Sequence, residues 1–258
     1  EMITLAKFLA ISGIILPMLP HKNLIPDINL TPYSIWLATV VVSGISYLSY
    51  LLKRYVFHES GTLVSGIIGG LYSSTATISV LARKSRKASE QEATEYVAAM
   101  LLAVSMMFLR FMILILIFSR EIFLSIYPYL LIMSVVSAIV GWFVHSRQKL
   151  PKDTSVESEE DDSSNPLEFK VALIFAVLFV VFTVLTHYTL VYAGTSGLNL
   201  LSFVSGFSDI TPFILNLLQN TGSVAVLIIT ACSMQAIVSN ILVNMFYALF
   251  FAASAVTV

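Results

Sequence analysis

The chain has 258 residues, of which 57% are hydrophobic and 11% are charged, and its formal net charge is −1. Soluble domains carry about 25% charged residues, so this composition excludes an ordinary soluble domain and predicts a polytopic membrane protein. The sequence contains no basic groove or arm typical of nucleic-acid binding. Its single cysteine, Cys232, excludes a disulfide framework.

The apolar segments predict an all-α bundle of about eight membrane-spanning helices. A helix needs about 20 apolar residues to cross a bilayer. The predicted spans are 2–19, 34–55, 61–82, a fourth from the end of the polar linker 87–95 to residue 119, 121–144, 167–192, 198–218 and 224–252.

Two of these spans are interrupted by residues that weaken a helix. In the third span, Gly69 and Gly70 precede a run of hydroxyl residues, GGLYSSTAT, and each glycine costs about 1 kcal/mol relative to alanine. In the seventh span, the run GFSDITP begins at Gly206 and ends at Pro212. Because hydroxyl groups need partners where there is no water, we predict that the two segments form the functional centre. They either cross the membrane as broken helices or re-enter it from one side.

Residues 147–166 are polar, with a block of acids among serines, which predicts a disordered, solvated linker. The linker divides the chain into a first membrane half, residues 1–146, and a second, residues 167–258. Cytoplasmic loops are enriched in Lys and Arg. If all eight segments cross, the Arg83–Lys87 run, Lys22 and the linker share the cytoplasmic side, and both chain ends lie outside.

The interrupted segments also predict an internal repeat. Aligning Gly70 with Gly206 brings Thr75 onto Thr211, and Ser73 then meets Asp209. Four crossings separate the two copies, so we predict repeats of parallel orientation. Chance similarity between apolar helices is the alternative.

Two charged residues lie deep in the predicted spans, the acid Asp209 and the base Arg110. A charge at the bilayer centre costs about 2.5–3.5 kcal/mol on insertion scales, so we predict that the two form an ion pair at the seam of the repeat. The pair marks a substrate pathway or only fixes packing. Thr211 before Pro212 is also a favourable helix N-cap.

Neutral polar residues extend this prediction to two helix faces. Asn216 shares a face with Asp209, and Asn240 and Asn244 share a face of the eighth span. Amides that only hold helices together are the alternative. The predicted ion or substrate pathway comprises Ser73, Ser74, Thr75, Thr77, Arg110, Asp209, Thr211, Asn216, Asn240 and Asn244.

Several motifs resemble one family. The runs KFLAISGIILPMLP, GIIGGLYSSTATISVLARKSR and SGFSDITPFILNL are similar to the uncharacterised membrane domain found C-terminal to MgtC/SapB-type domains in bacteria and archaea, domain of unknown function 4010. The resemblance covers nearly the whole chain and implies a multi-pass protein of the prokaryotic inner membrane. It also implies an MgtC-like membrane domain before residue 1 and is compatible with a homo-oligomer. One position departs from the family pattern: Asn244 stands where we expect a lysine.

These observations predict a transporter or channel-like module for a small ion or solute, with its site between the two broken helices. A regulatory or assembly module that acts through helix contacts is the alternative. The sequence has no H-E-x-x-H motif and only one intramembrane acid, whereas an aspartyl protease needs two. We therefore expect no enzyme, no catalytic residue and no cofactor, and leave a metal open.

Overall fold

In the computed structural model, the described residues are 12–52, 55, 61–86, 88–147, 169–220 and 224–253. Residues 2–11 of the first predicted span and nearly all of the predicted linker lie outside them. Within the described parts the regular structure is helical, with one isolated β-bridge between Ile25 and Ile28. Residues 12–18 belong to α1. The later helices are α2 (Pro32–Leu51), α3 (Thr62–Ser85), α4 (Glu90–Phe118), α5 (Arg120–Ser146), α6 (Phe169–Ser205), α7 (Ile210–Gln219) and α8 (Val226–Ala253).

Six of these helices are long and apolar enough to cross a membrane, judged by length and composition within the described residues. The predicted all-α membrane bundle is therefore confirmed. The exception among the helices after α1 is α7, which has only ten residues. Residues Ile210 to Leu218 of α7 are all buried, so this short helix lies inside the bundle.

Capping residues fix where several helices begin. At α2, the Ser34 amide donates to the Thr31 hydroxyl at 3.0 Å, and the Thr31 amide donates to the Ser34 hydroxyl at 3.1 Å. Ser89 and Glu92 form the same reciprocal arrangement at α4. Ser119 is extended, ends α4 and caps α5. Because one residue joins α4 to α5, the two helices lie side by side and antiparallel.

Serine hydroxyls hold α4 and α5 together along their length. The Ser105 hydroxyl donates to the Ser134 carbonyl at 2.8 Å, and the Ser134 hydroxyl donates back to the Ser105 carbonyl at 3.0 Å. One turn further on, the Ser137 hydroxyl donates to the Leu101 carbonyl at 2.8 Å. These bonds give the polar side chains of an apolar helix pair the partners that a membrane interior cannot supply.

The chain reverses direction in the middle of α3. Ser73 is extended (φ −157°, ψ 104°) between two helical arms, which we label α3a (residues 62–72) and α3b (residues 74–85). A Cβ built on Gly69 would lie 3.2 Å from the Thr77 Cβ. In a straight helix, residues eight positions apart are separated by about 12 Å. Gly69 and Gly70 themselves are helical, so the break lies at Ser73 and not at the glycines that the sequence indicated.

The contacts of α3a with α4 confirm the reversal. Gly66 lies against Ala99 and Gly70 lies against Ala103, so α3a runs parallel to α4. The second arm, α3b, reaches α4 through only residues 86–89 and must run antiparallel to it. The two arms are therefore antiparallel to each other. We call them hairpin 1, with its tip at Ser73 and its base at the outer ends of the arms.

A second reversal divides α6. Gly194 has φ 60° and ψ −151°, a conformation open essentially only to glycine. It separates α6a (residues 169–193) from α6b (residues 195–205). A Cβ added at Gly197 would collide with Thr189 and Ala193, so α6b folds back along α6a.

The chain reverses again between α6b and α7. The ring centroids of Phe213 and Phe182 are 5.6 Å apart, and the Asn216 amide donates to the Thr186 hydroxyl at 2.7 Å. The residue numbers of these contacts increase together along α7 and α6a, so the two helices are parallel. Because α6b folds back along α6a, α7 is antiparallel to α6b. We call α6b and α7 hairpin 2, with its tip at residues 206–209. The structure thus selects the re-entrant alternative for both interrupted segments.

The two hairpins enter the bundle from opposite sides. Between the two hairpins the chain crosses the bundle three times, as α4, α5 and α6a. Because three is an odd number, hairpin 2 begins on the side opposite to the base of hairpin 1. The Arg83 guanidinium at the base of hairpin 1 stacks 4.7 Å from the Phe251 ring centroid at the end of α8. The Gln219 amide at the base of hairpin 2 donates to the Ser34 carbonyl at the start of α2.

The predicted parallel orientation of the repeat is therefore wrong, because it counted each interrupted segment as a crossing. The repeat itself has matching contacts. In the first half, Gly70 of hairpin 1 lies against Ala103 of α4. In the second, Gly206 of hairpin 2 lies against Ser239 of α8, at the same separation along the chain. The two units, α2–hairpin 1–α4 and α6a–hairpin 2–α8, form an inverted repeat.

Candidate functional site

A cavity of about 600 Å³ lies where the tips of the two hairpins approach each other. Small-molecule sites typically occupy about 300–1,000 Å³. Four helices, α2, α4, α6a and α8, complete its wall. Both tips lie near the middle of the bundle, because Gly70 contacts the centre of α4 and Gly206 contacts the centre of α8.

Hairpin 1 presents hydroxyl groups to the cavity. Ser73, Ser74 and Thr75, three residues of the predicted pathway, all line it. The Ala76 amide donates to the Ser73 hydroxyl at 3.4 Å, which caps the start of α3b. The positive end of the α3b dipole therefore points toward the cavity.

Arg110 lies on the α4 wall of the cavity, beside the tip of hairpin 1. Its Nη1 donates to the Tyr72 carbonyl at 2.7 Å. Tyr72 is the last residue of α3a before the break, so Arg110 holds the backbone at the end of this arm. The Arg110 Nε is buried and has no hydrogen-bond partner among the described residues. The guanidinium thus bonds to the tip of hairpin 1 through Nη1, while its Nε has no partner among the described residues.

Asp209 stands at the tip of hairpin 2. It is the N-cap of α7, where its Oδ1 accepts from the Thr211 amide at 3.0 Å. The sequence suggested Thr211 for this role. The structure assigns the cap to Asp209, places Thr211 in the cavity wall and puts Pro212 inside the first turn. The Asp209 side chain is exposed and lines the cavity.

The two intramembrane charges share one cavity without direct contact. Arg110 bonds to the Tyr72 carbonyl and Asp209 bonds to the Thr211 amide, while electrostatic attraction acts between the two groups. The sequence predicted that these charges meet at the seam of the repeat. Both charges line the cavity at that seam, but the predicted ion pair is replaced by two separated charges, Arg110 on α4 and Asp209 at the tip of hairpin 2.

Asn240 connects the tip of hairpin 2 to α8. Its Nδ2 donates to the Gly206 carbonyl at 3.1 Å, and its Oδ1 accepts from Asn244 at 3.2 Å. Asn240 lines the cavity, whereas Asn244 lies behind it in the lipid-excluded interior. The Asn244 Oδ1 is buried without a hydrogen-bond partner among the described residues.

Two other predicted pathway residues lie outside the cavity wall. Asn216 is fully buried and bonds to Thr186 of α6a. Thr77 lies against Gly69 on the inside of hairpin 1. Both side chains hold a hairpin in place and do not face the cavity.

Sequence reasoning missed part of the wall. Ser43 and Ser46 of α2 line the cavity, together with Ser79 of α3b and Tyr247 of α8. The spacing of Ser43 and Ser46 places both hydroxyls on one helix face, which is a signal that could have identified α2 as a wall. Among the described residues, no group of three or more His, Cys, Asp or Glu side chains could hold a metal ion.

Comparisons with known proteins give one relative and one family. No solved structure matches the chain. The chain is 26% identical over 198 residues to an uncharacterized protein of Aquifex aeolicus (strain VF5), a match that covers 76% of this chain and 84% of the relative. The sequence model of a family described as a domain of unknown function (DUF4010) matches residues 40–252. This range includes both hairpins and every cavity residue named above, and on that match the chain belongs to the DUF4010 family.

Proposed function

We propose that this integral membrane protein is a transporter that moves a small solute through the cavity between its two hairpins. The observation that carries the proposal is the meeting of two oppositely oriented re-entrant hairpins at one polar cavity, which contains both Arg110 and Asp209. In many transporters, broken helices of an inverted repeat bind the substrate near the bilayer midplane. Intramembrane charges on such a cavity mark a substrate or ion path.

The inverted repeat supports alternating access to this cavity. Because the two repeat units are oppositely oriented, each can adopt the conformation of the other, which closes one side of the site and opens the other. Both hairpins approach their neighbouring helices closely through glycines: Gly66 and Gly70 lie against the backbone of α4, and Gly206 lies against Ser239 of α8. We propose no enzymatic step at this site.

The test is solute flux into proteoliposomes that contain the purified full chain. We expect uptake of at least one solute from a panel of ions, organic acids, amines and amino acids. Asp209→Asn should reduce that uptake by about tenfold or more, because an intramembrane charge is lost from the path. Arg120→Gln is the matched control, since Arg120 is exposed at the start of α5, and should transport normally. Absence of flux across the whole panel, with protein that remains folded, would overturn the proposal.

The alternative, a regulatory or assembly module that acts through helix contacts, needs small residues that a partner helix can reach. Gly66 and Gly70 do not meet this need, because both lie against the backbone of α4 within the same chain. The predicted MgtC-like domain and a homo-oligomer stay predictions.

The distribution of lysines and arginines along the chain supports one orientation of the protein in a prokaryotic inner membrane. Two cations, Lys22 and Arg120, fall on the side of the hairpin 2 base. Of the fourteen lysines and arginines, ten are assigned to the side of the hairpin 1 base by chain order alone, five of them outside the described residues: Lys53, Arg54, Arg83, Lys84, Arg86, Lys87, Arg147, Lys149, Lys152 and Lys170. We therefore propose that the hairpin 1 base and the linker are cytoplasmic. The end of α8 then lies inside, not outside as the full-span topology predicted.

A further inference from the structure

We propose that the cavity binds a small zwitterion of the α-amino-acid class, with its carboxylate at Arg110 and its ammonium group at Asp209. This inference rests on the proposed function, because it assigns a substrate class to the same site. It follows from the two charges that line the cavity without touching each other.

The first step concerns the unused donors of Arg110. A guanidinium has five N–H donors in a planar fork, and the Nη1 of Arg110 donates to a neutral carbonyl, that of Tyr72. Its buried Nε has no partner among the described residues. A cation in an apolar interior requires a compensating anion. A carboxylate fits best, because it accepts two parallel N–H bonds from one guanidinium.

The tip of hairpin 1 strengthens this end of the site. Ser73, Ser74 and Thr75 line the cavity near Arg110, and their hydroxyls can donate to carboxylate oxygens. The start of α3b, a twelve-residue arm within α3, also faces this region, and helix N-termini favour anions. The anion end is therefore assembled from a full charge, hydroxyls and a helix dipole.

The second step concerns Asp209 at the other tip. One of its oxygens accepts from the Thr211 amide, and the exposed carboxylate lines the cavity. The arm that leads into this tip, α6b, ends there, and the C-terminal end of a helix favours a cation. An ammonium group has three donors and can bond to the Asp209 carboxylate and to nearby hydroxyls such as Ser208.

The opposite charges of Arg110 and Asp209 then distinguish between classes of ligand. A simple anion would leave Asp209 without a bonded countercharge, and a simple cation would leave Arg110 without one. A neutral solute would leave both charges without a bonded countercharge in the cavity. A zwitterion satisfies both, and its apolar part can lie against Val42, Phe111 and Leu178, which also line the cavity.

The test is ligand binding to the detergent-solubilised full chain, measured by thermal stabilisation and by equilibrium binding. The probes are the common amino acids and, for the best binder, its two matched analogues. For leucine these are isocaproate, which lacks the ammonium group, and isoamylamine, which lacks the carboxylate. We expect one or more amino acids to bind about tenfold or more tightly than either analogue, because each analogue leaves either Arg110 or Asp209 without a bonded countercharge.

Substitutions of Asp209 and Arg110 test which end of the ligand each residue binds. Asp209→Asn should weaken zwitterion binding about tenfold and leave binding of the carboxylate analogue unchanged, whereas Arg110→Gln should abolish both. If Arg110→Gln fails to fold, Arg110→Lys retains the charge but loses the planar fork, and should weaken the carboxylate end selectively. Arg120→Gln should bind like the natural chain.

If the carboxylate analogue binds as tightly as the amino acid, the inference is overturned in favour of an anionic ligand. If the amine analogue binds as tightly as the amino acid, it is overturned in favour of a cationic ligand. Absence of amino-acid binding would also overturn the inference. Binding without flux would contradict the transport proposal alone, and flux of another solute without amino-acid binding would contradict this inference alone.

Discussion

Single residues of this protein show why neutral polar side chains in a membrane are hard to interpret from sequence. Thr75 and Asn216 are both polar residues at helical spacing in interrupted segments. The structure places Thr75 in the cavity wall and buries Asn216 against Thr186. The two residues differ in what each side chain faces across the bundle, and the spacing of residues along one helix does not predict this.

Gly206 offers a direct test of the close contact between hairpin 2 and α8. A Cβ at this position would overlap the Ser239 side chain and the Asn240 backbone. Gly206→Val should therefore lower the free energy of unfolding by about 1–3 kcal/mol, the usual cost of overpacking. The measurement is the thermal midpoint in detergent.

Gly44→Val is the matched control for this change, because nothing lies within 4 Å of a Cβ built on Gly44. Its thermal midpoint should stay close to that of the natural chain. Equal midpoints for the two variants would contradict the close approach at Gly206.

At the scale of elements, the essential feature is that each interrupted segment folds back on itself. The sequence identified both segments, because glycines, hydroxyls and a proline interrupt otherwise apolar runs. It could not identify the reversal. A broken helix that crosses the membrane and a re-entrant hairpin have the same composition, and the difference depends on contacts such as Gly66 with Ala99.

A cysteine pair tests the reversal in hairpin 1. Gly69→Cys and Thr77→Cys should form a disulfide on mild oxidation, because Cβ atoms about 3.8 Å apart suit this bond and those at 69 and 77 would be 3.2 Å apart. The background carries Cys232→Ala, which removes the one natural cysteine. Counting free thiols after denaturation measures the bond.

The pair Ala99→Cys and Met107→Cys in α4 has the same separation along an uninterrupted helix and serves as the control. In that arrangement the two thiols are about 12 Å apart and should stay reduced. A straight α3 would leave both pairs reduced, and that result would contradict hairpin 1.

At the scale of the whole molecule, the two reversals decide the topology. With both interrupted segments counted as crossings, the repeat is parallel and Lys22 lies on the same side as the Arg83–Lys87 run. With both segments re-entrant, the repeat is inverted and Lys22 lies opposite that run. The charge distribution is then more asymmetric, because the cations after α2 join the cytoplasmic group. The lysines and arginines of the sequence therefore indicate one orientation more clearly when both interrupted segments are re-entrant than when both cross the membrane.

Side-specific labelling distinguishes the two topologies. In the Cys232→Ala background, Lys22→Cys and Glu121→Cys should react in intact cells with a membrane-impermeant maleimide, and Ala88→Cys should react only after the membrane is disrupted. Glu121 and Ala88 give the same result in either topology and calibrate the assay. Labelling of Lys22→Cys only after disruption would contradict the inverted arrangement.

The buried cysteine gives this protein a natural reporter of motion. Cys232 is fully buried on α8, and its Sγ lies 3.5 Å from the Asn199 Oδ1 of hairpin 2. Because hairpin 2 lies against the thiol, separation of hairpin 2 from α8 should let a thiol reagent reach Cys232. The rate at which a small, membrane-permeant reagent modifies the unaltered chain therefore measures how often that seam opens, and a ligand that holds hairpin 2 closed should slow the modification.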